Sequence, residues 1–134
     1  MQKNSQIPFL VEAITRNKSG KILLLKRSGI NNFYKDMWQL PGGKVDKGEN
    51  VTNAIKRELK EETNCNNNNL VFEKVFLFNQ KFNEFKGKHL LMVFSCKLVG
   101  KLKLSEDHVE YNYFSLDEIK SLKLAPISKK ALFE

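Results

Sequence analysis

Apolar residues fall in short runs along the chain, and those runs predict most of its elements. FLVEAITR (9–16) and KILLLKR (21–27) are β-compatible and flank the turn cluster NKSG, which predicts a hairpin. SGINNFYKDM (28–37) reads as a loop, followed by the short run WQL and then PGG, a strong breaker. VFEKVFLF (71–78) and HLLMVFSCKLV (89–99) read as strands, and EYNYFSL (110–116) as a shorter one. SLDEIKSL (115–122) opens with a serine cap and an acidic first turn, and PISKKALF (126–133) opens with Pro126, so each predicts a short helix. Without an internal repeat or an evident linker, one mixed α/β domain over 1–134 is expected.

The longest helix is expected from about Asn50 to Thr63. Val51, Ala54, Ile55 and Leu59 form its apolar stripe, and Asn64, a residue that tolerates the left-handed conformation, closes it. With Val51 at 0° and about 100° per residue, Glu58, Glu61 and Glu62 lie near 340°, 280° and 20°. These carboxylates continue the core-facing stripe. As like-charge neighbours at i+3 and i+4 they cost roughly 0.2–0.5 kcal/mol per pair, and Lys56 and Lys60 point away from them. An inward-leaning cluster of negative charge is costly unless cations neutralise it, and Arg57 reaches only one side.

Composition changes this picture little. The chain has 134 residues, 41% apolar and 28% charged, which suits a globular protein able to fold alone. No apolar run approaches a membrane span, and MQKNSQIPFL lacks a signal-type stretch, so a cytosolic protein without membrane attachment is expected. Cys65 and Cys96 lack metal-site spacing and read as buried thiols. The formal net charge of +8 favours anionic partners, although the lysines are scattered.

Three glutamates beside a PGGK loop with available carbonyls suit a hard divalent cation, which takes oxygen ligands from few carboxylates and from substrate phosphates. No GxxxxGK[ST], GxSxG or HExxH motif offers a competing chemistry. His89 opens a strand and reads as a plain polar residue.

GKVDKGENVTNAIKRELKEETNC, Gly43 to Cys65, resembles the signature of the Nudix hydrolase family. Gly43, Glu49, Arg57, Glu58, Leu59, Glu61 and Glu62 match at the required spacings, and Asn64 departs where the family has glycine. LLLKR before WQLPGG and EYNYFSLDEI near the end extend the resemblance. It implies a Nudix fold, a mixed, curved β-sheet between helices with the signature as loop–helix–loop. It also implies Mg²⁺- or Mn²⁺-dependent hydrolysis of a nucleoside diphosphate linked to another moiety. Carried over by position, Glu58, Glu61 and Glu62 become metal ligands, with a backbone carbonyl from Gly42 or Gly43. Arg57 and Glu49 become an ion pair holding the loop to the helix. A further carboxylate acting on the water is expected from SEDHVEYNYF, with Glu106 favoured over Glu110 and Glu58 as the fallback.

Phe33, Tyr34, Trp38 and Phe82 are candidates to stack on a nucleobase, with Trp38 more at home in a core. The leading function is a small-nucleotide pyrophosphohydrolase. The alternatives are an RNA 5′-end pyrophosphohydrolase and a non-catalytic nucleotide-binding module. The sequence leaves open whether the protein is a monomer or a homodimer.

Overall fold

The computed structural model describes residues 7–29, 34–80 and 87–134. Its strands form two sheets. β1 (Phe9–Thr15), β4 (Gly42–Lys44), β5 (Asn66–Gln80) and β6 (Gly87–Val99) make a four-stranded sheet in the order β4-β1-β6-β5. β2 (Ile22–Arg27), β3 (Trp38–Gln39) and β7 (His108–Phe114) make a three-stranded sheet in the order β3-β2-β7. β1 runs parallel to β6, and the other pairings are antiparallel.

The predicted hairpin is corrected by this topology. The NKSG turn does form: Asn17 Oδ1 accepts from the amides of Ser19 and Lys21, and Gly20 takes the left-handed φ of 79° the turn requires. Beyond it, however, β1 and β2 share only the Arg16–Ile22 bridge and diverge into different sheets. Burial explains the divergence. All of Ile22–Leu25 is buried, and β1 buries residues on both faces, so each strand needs a covering layer on either side.

Those faces build two cores. Ile14, Ile22, Leu24, Trp38, Leu40, Leu91, Val93, Ile119 and Ala131 fill one, against which α3 (Pro126–Phe133) also packs. Val11, Ala13, Phe94 and Cys96 meet Ala54, Ile55 and Leu59 of α1 (Val51–Thr63) in the other. α1 has the expected limits. Asn50 caps it by accepting from the Asn53 amide at 2.8 Å, and Asn64 closes it at φ 64°, its amide donating to Lys60 O. α2 (Leu116–Lys120) starts with a reciprocal capping box between Ser115 and Glu118.

Two segments depart from the sequence pattern. PGG is a breaker by composition, yet Gly42–Lys44 pair with Leu10–Glu12 as β4. A Cβ at Gly42 would collide with the Val11 carbonyl oxygen, so glycine admits a backbone approach that no side chain would allow. β5 begins at Asn66, well before its apolar run, because Asn66–Asn68 pair by backbone with Lys97–Val99. His89, read as a plain polar residue, is buried, its Nδ1 3.0 Å from Gly87 O and its ring beside Phe78.

Candidate active site

The site gathers where the second half of α1 crosses β4. Glu58 and Glu62, one turn apart on the inward side of the helix, are 9% and 8% exposed. Glu62 Oε1 accepts from the Gly42 amide at 2.8 Å, which pins that carboxylate to the edge of the sheet. Glu58 lies directly on the Gly43 backbone, and any Cβ at Gly43 would overlap its carboxylate. Glycine at this position makes room for the acid. Glu61 departs from the expected inward trio. About 100° from the centre of the buried stripe, it is exposed and turns to Arg57 Nη1 at 3.4 Å.

Arg57 ties this helix to the loop before it. Its Nε and Nη2 donate to the two Glu49 oxygens at 2.9 and 3.0 Å, and Nη2 also donates to Lys44 O at 3.0 Å. Nη1 lies 3.5 Å from Glu58 Oε1. The bidentate fork matches the planar carboxylate and fixes the loop by two bonds at once. The Arg57 bonds, reinforced by the Asp46 amide, hold Glu49 below the usual carboxylate range.

The inner acids are pushed the other way. Burial raises Glu58 to about 7, with Arg57 opposing and Glu61 adding to the rise. Burial likewise raises Glu62 well above the ordinary value, and the nearby charges of Glu58, Glu12 and Asp107 add to it against the Gly42 hydrogen bond. Glu12, on β1 opposite Gly42, is a third buried carboxylate, raised to about 8 by burial against the hydrogen bond from Ser128. Beside this cluster Gln39 Nε2 sits 3.0 Å from His108 Nε2. Burial holds His108 down at about 4, so its ring is neutral near pH 7.

This donor set fits a divalent cation. Glu58 and Glu62 are desolvated, mutually repelling and faced by glycine backbone that lets their carboxylates approach closely. Among the described residues no three His, Cys, Asp or Glu side chains are grouped so that they could hold a metal ion. A cation here would rest on one or two carboxylates and be completed by carbonyls, water and substrate phosphates.

A profile of the NUDIX domain matches residues 9–134. The chain belongs to the Nudix family. It is 35% identical over 106 residues to the ADP-ribose pyrophosphatase of Methanocaldococcus jannaschii, covering 78% of this chain and 60% of that protein. It is 44% identical over 63 residues to the RNA pyrophosphohydrolase of Pelagibacter ubique, covering 47% of this chain and 38% of that one. The chain therefore spans less than two thirds of the length of these curated relatives. Among solved structures, the MutT NUDIX hydrolase of Burkholderia pseudomallei superposes with a TM-score of 0.81 at 26% identity, covering 96% of this chain and 97% of that one. The mixed α/β architecture with its two curved sheets is the Nudix fold.

The remaining candidates of this Nudix chain divide by position. Of its two readings Trp38 takes the core one, and not base stacking: it is 8% exposed, edge-on to Phe114 at 5.0 Å, with Lys26 Nζ 5.9 Å from its ring centroid. Tyr34 is half-buried at the end of its loop with φ 54°. Phe33 and Phe82 lie outside the described residues. Glu106 is exposed on the turn leading into β7, and the charge felt at Glu62 from that turn is that of Asp107. Glu110 is exposed on β7, opposite Lys26. Glu12 and Ser128 escaped the sequence reading. A lone acid inside the apolar run FLVEAIT was the available signal for Glu12, whereas nothing local distinguishes Ser128. No described helix is long and apolar enough to cross a membrane.

Proposed function

We propose that this protein hydrolyses a phosphoanhydride bond in a small nucleoside diphosphate derivative, with Mg²⁺ or Mn²⁺ as cofactor. The observation that carries the reading is the buried Glu58–Glu62 pair, seated on the Gly42–Gly43 backbone with Arg57 Nη1 3.5 Å from Glu58 Oε1. In this reading Glu58 and Glu62 hold the cation, Glu61 joins them by turning from Arg57, and a carbonyl of the Gly42–Gly43 segment adds an oxygen. When bound, the cation neutralises the pyrophosphate and makes water more acidic. Arg57 keeps the loop at its register through Glu49 and Lys44 O, so the glycine backbone meets the phosphates in one geometry.

Water attacks phosphorus, a new P–O bond forms, the bridging P–O bond breaks, and the water's proton passes to a carboxylate. Glu106 is the proposed acceptor, on the turn that brings Asp107 into electrostatic range of Glu62. Small nucleotides are favoured because similarity to the protein named ADP-ribose pyrophosphatase extends over 78% of the chain, well beyond the signature. The net charge of +8 favours RNA 5′ ends as the second reading.

A metal-supplemented screen of ADP-ribose, nucleoside triphosphates, dinucleoside polyphosphates and 5′-triphosphorylated RNA, with products identified, tests this. Cleavage of a small nucleotide that vanishes on chelation is expected, with Glu106→Gln lowering kcat more than affinity. Metal-independent cleavage, or none of any substrate, would contradict the proposal. A preference for RNA with steep salt dependence would promote the second reading.

A further inference from the structure

Glu12 is a carboxylate in the interior that the hydrolytic scheme leaves without a task. Burying a carboxyl group is costly whether it keeps its charge or takes up a proton, and an apolar residue would fill this inward position on β1 without that cost. Its contacts suggest the reason for keeping it. Ser128 Oγ, fully buried on α3, donates to Glu12 Oε1 and Oε2, each at 3.1 Å. The same Oγ accepts from the Leu40 amide at 2.9 Å. Leu40 leads through Pro41, whose carbonyl accepts from the Ala13 amide at 2.9 Å, to Gly42, whose own amide holds Glu62.

We infer that Glu12 and Ser128 are positioning residues: through the Ser128 hydroxyl, Glu12 fixes the Leu40–Gly42 backbone that in turn aims Glu62. The inference rests on the metal-holding role given to Glu62 above. A hydroxyl rotor left without a partner for its proton would hold Leu40 less firmly. The Ser128 proton, given to Glu12, holds the hydroxyl in the orientation that turns a lone pair to the Leu40 N–H. Through Ser128, α3 thereby becomes part of the support of the site.

Ser128→Ala, Glu12→Leu and Glu12→Gln separate positioning from other roles. Native-state exchange of the Leu40 and Gly42 amides, read without metal or substrate, should quicken about 10-fold or more in Ser128→Ala and Glu12→Leu. Mn²⁺ affinity and kcat should each fall roughly 10- to 100-fold, the range for residues that orient ligands, with KM for the nucleotide little changed. Glu12→Gln keeps an oxygen that accepts from Ser128, and should restore most of what Glu12→Leu loses. If Ser128→Ala does not fold, Ser128→Cys, with a poorer donor of similar size, carries the same comparison.

Lowered melting temperature with unchanged amide exchange and Mn²⁺ affinity would reduce the pair to core structure and overturn the inference. Glu12→Gln as damaging as Glu12→Leu would also overturn it, because the charge itself would then be what the site uses. If wild type binds no Mn²⁺ while the amides still respond, the metal reading fails and the coupling of Ser128 to the Gly42 backbone stands.

Discussion

At Glu62 two opposing demands meet in one side chain. Its carboxylate is buried beside Glu58 and within electrostatic range of Glu12 and Asp107, yet among the described residues the hydrogen bond it accepts is the one from the Gly42 amide. Neutralising it should relieve repulsion while removing a ligand. Glu62→Gln, with its oxygen left to accept from Gly42, should lower kcat by about 10²-fold or more, as expected when charge stabilisation of a transition state is lost. Its melting temperature without metal should match or exceed that of wild type. Parallel thermal melts and turnover assays check both halves. A variant that loses stability but keeps turnover would place Glu62 in the core and outside the chemistry.

α1 shows what an element contributes that its residues alone do not. Its left-handed closure at Asn64 lets the chain turn into Cys65 and β5 directly after the acids. An alanine there must adopt φ near 64° without asparagine's polar compensation, so Asn64→Ala should cost about 1–2 kcal/mol. Chemical denaturation measures this, and an unchanged midpoint would contradict it. This helix was also the most legible element in the sequence. The 3.6-residue period turns Glu58 and Glu62 inward, and Asn50 and Asn64 mark its ends. β4 was hidden because two glycines carry no alternation, and its pairing arises from backbone approach to Val11. The separation of β1 and β2 into two sheets was hidden because the NKSG turn is compatible with either outcome. The Glu12–Ser128–Leu40 contact joins residues far apart in the chain, and no local pattern encodes such a contact.

For the whole molecule, the buried acids set how stability follows pH. Glu58 at about 7 and Glu12 at about 8 bind protons in the folded state that ordinary carboxylates in the unfolded chain have already released. Stability from such groups is fully present below the unfolded value and is lost as pH rises through the folded one. His108, held at about 4, acts oppositely, losing stability as pH falls below its ordinary value of 6.5. Between about pH 6.5 and 8 the raised carboxylates dominate, so the metal-free protein should become less stable as pH rises through that window. Saturating Mg²⁺ should flatten the decline by binding the ionised acids. Melting temperatures across the window, with chelator and with Mg²⁺, test this, and rising stability in chelator would contradict it.

The central claim is that the buried carboxylates of α1 exist to hold a divalent cation. Calorimetric titration of Mn²⁺ into the metal-free protein at pH 8, beside the Glu58→Gln/Glu62→Gln double variant, tests it most directly. Saturable binding to wild type and none to the folded double variant is the predicted result. Binding to both with equal affinity would contradict the account.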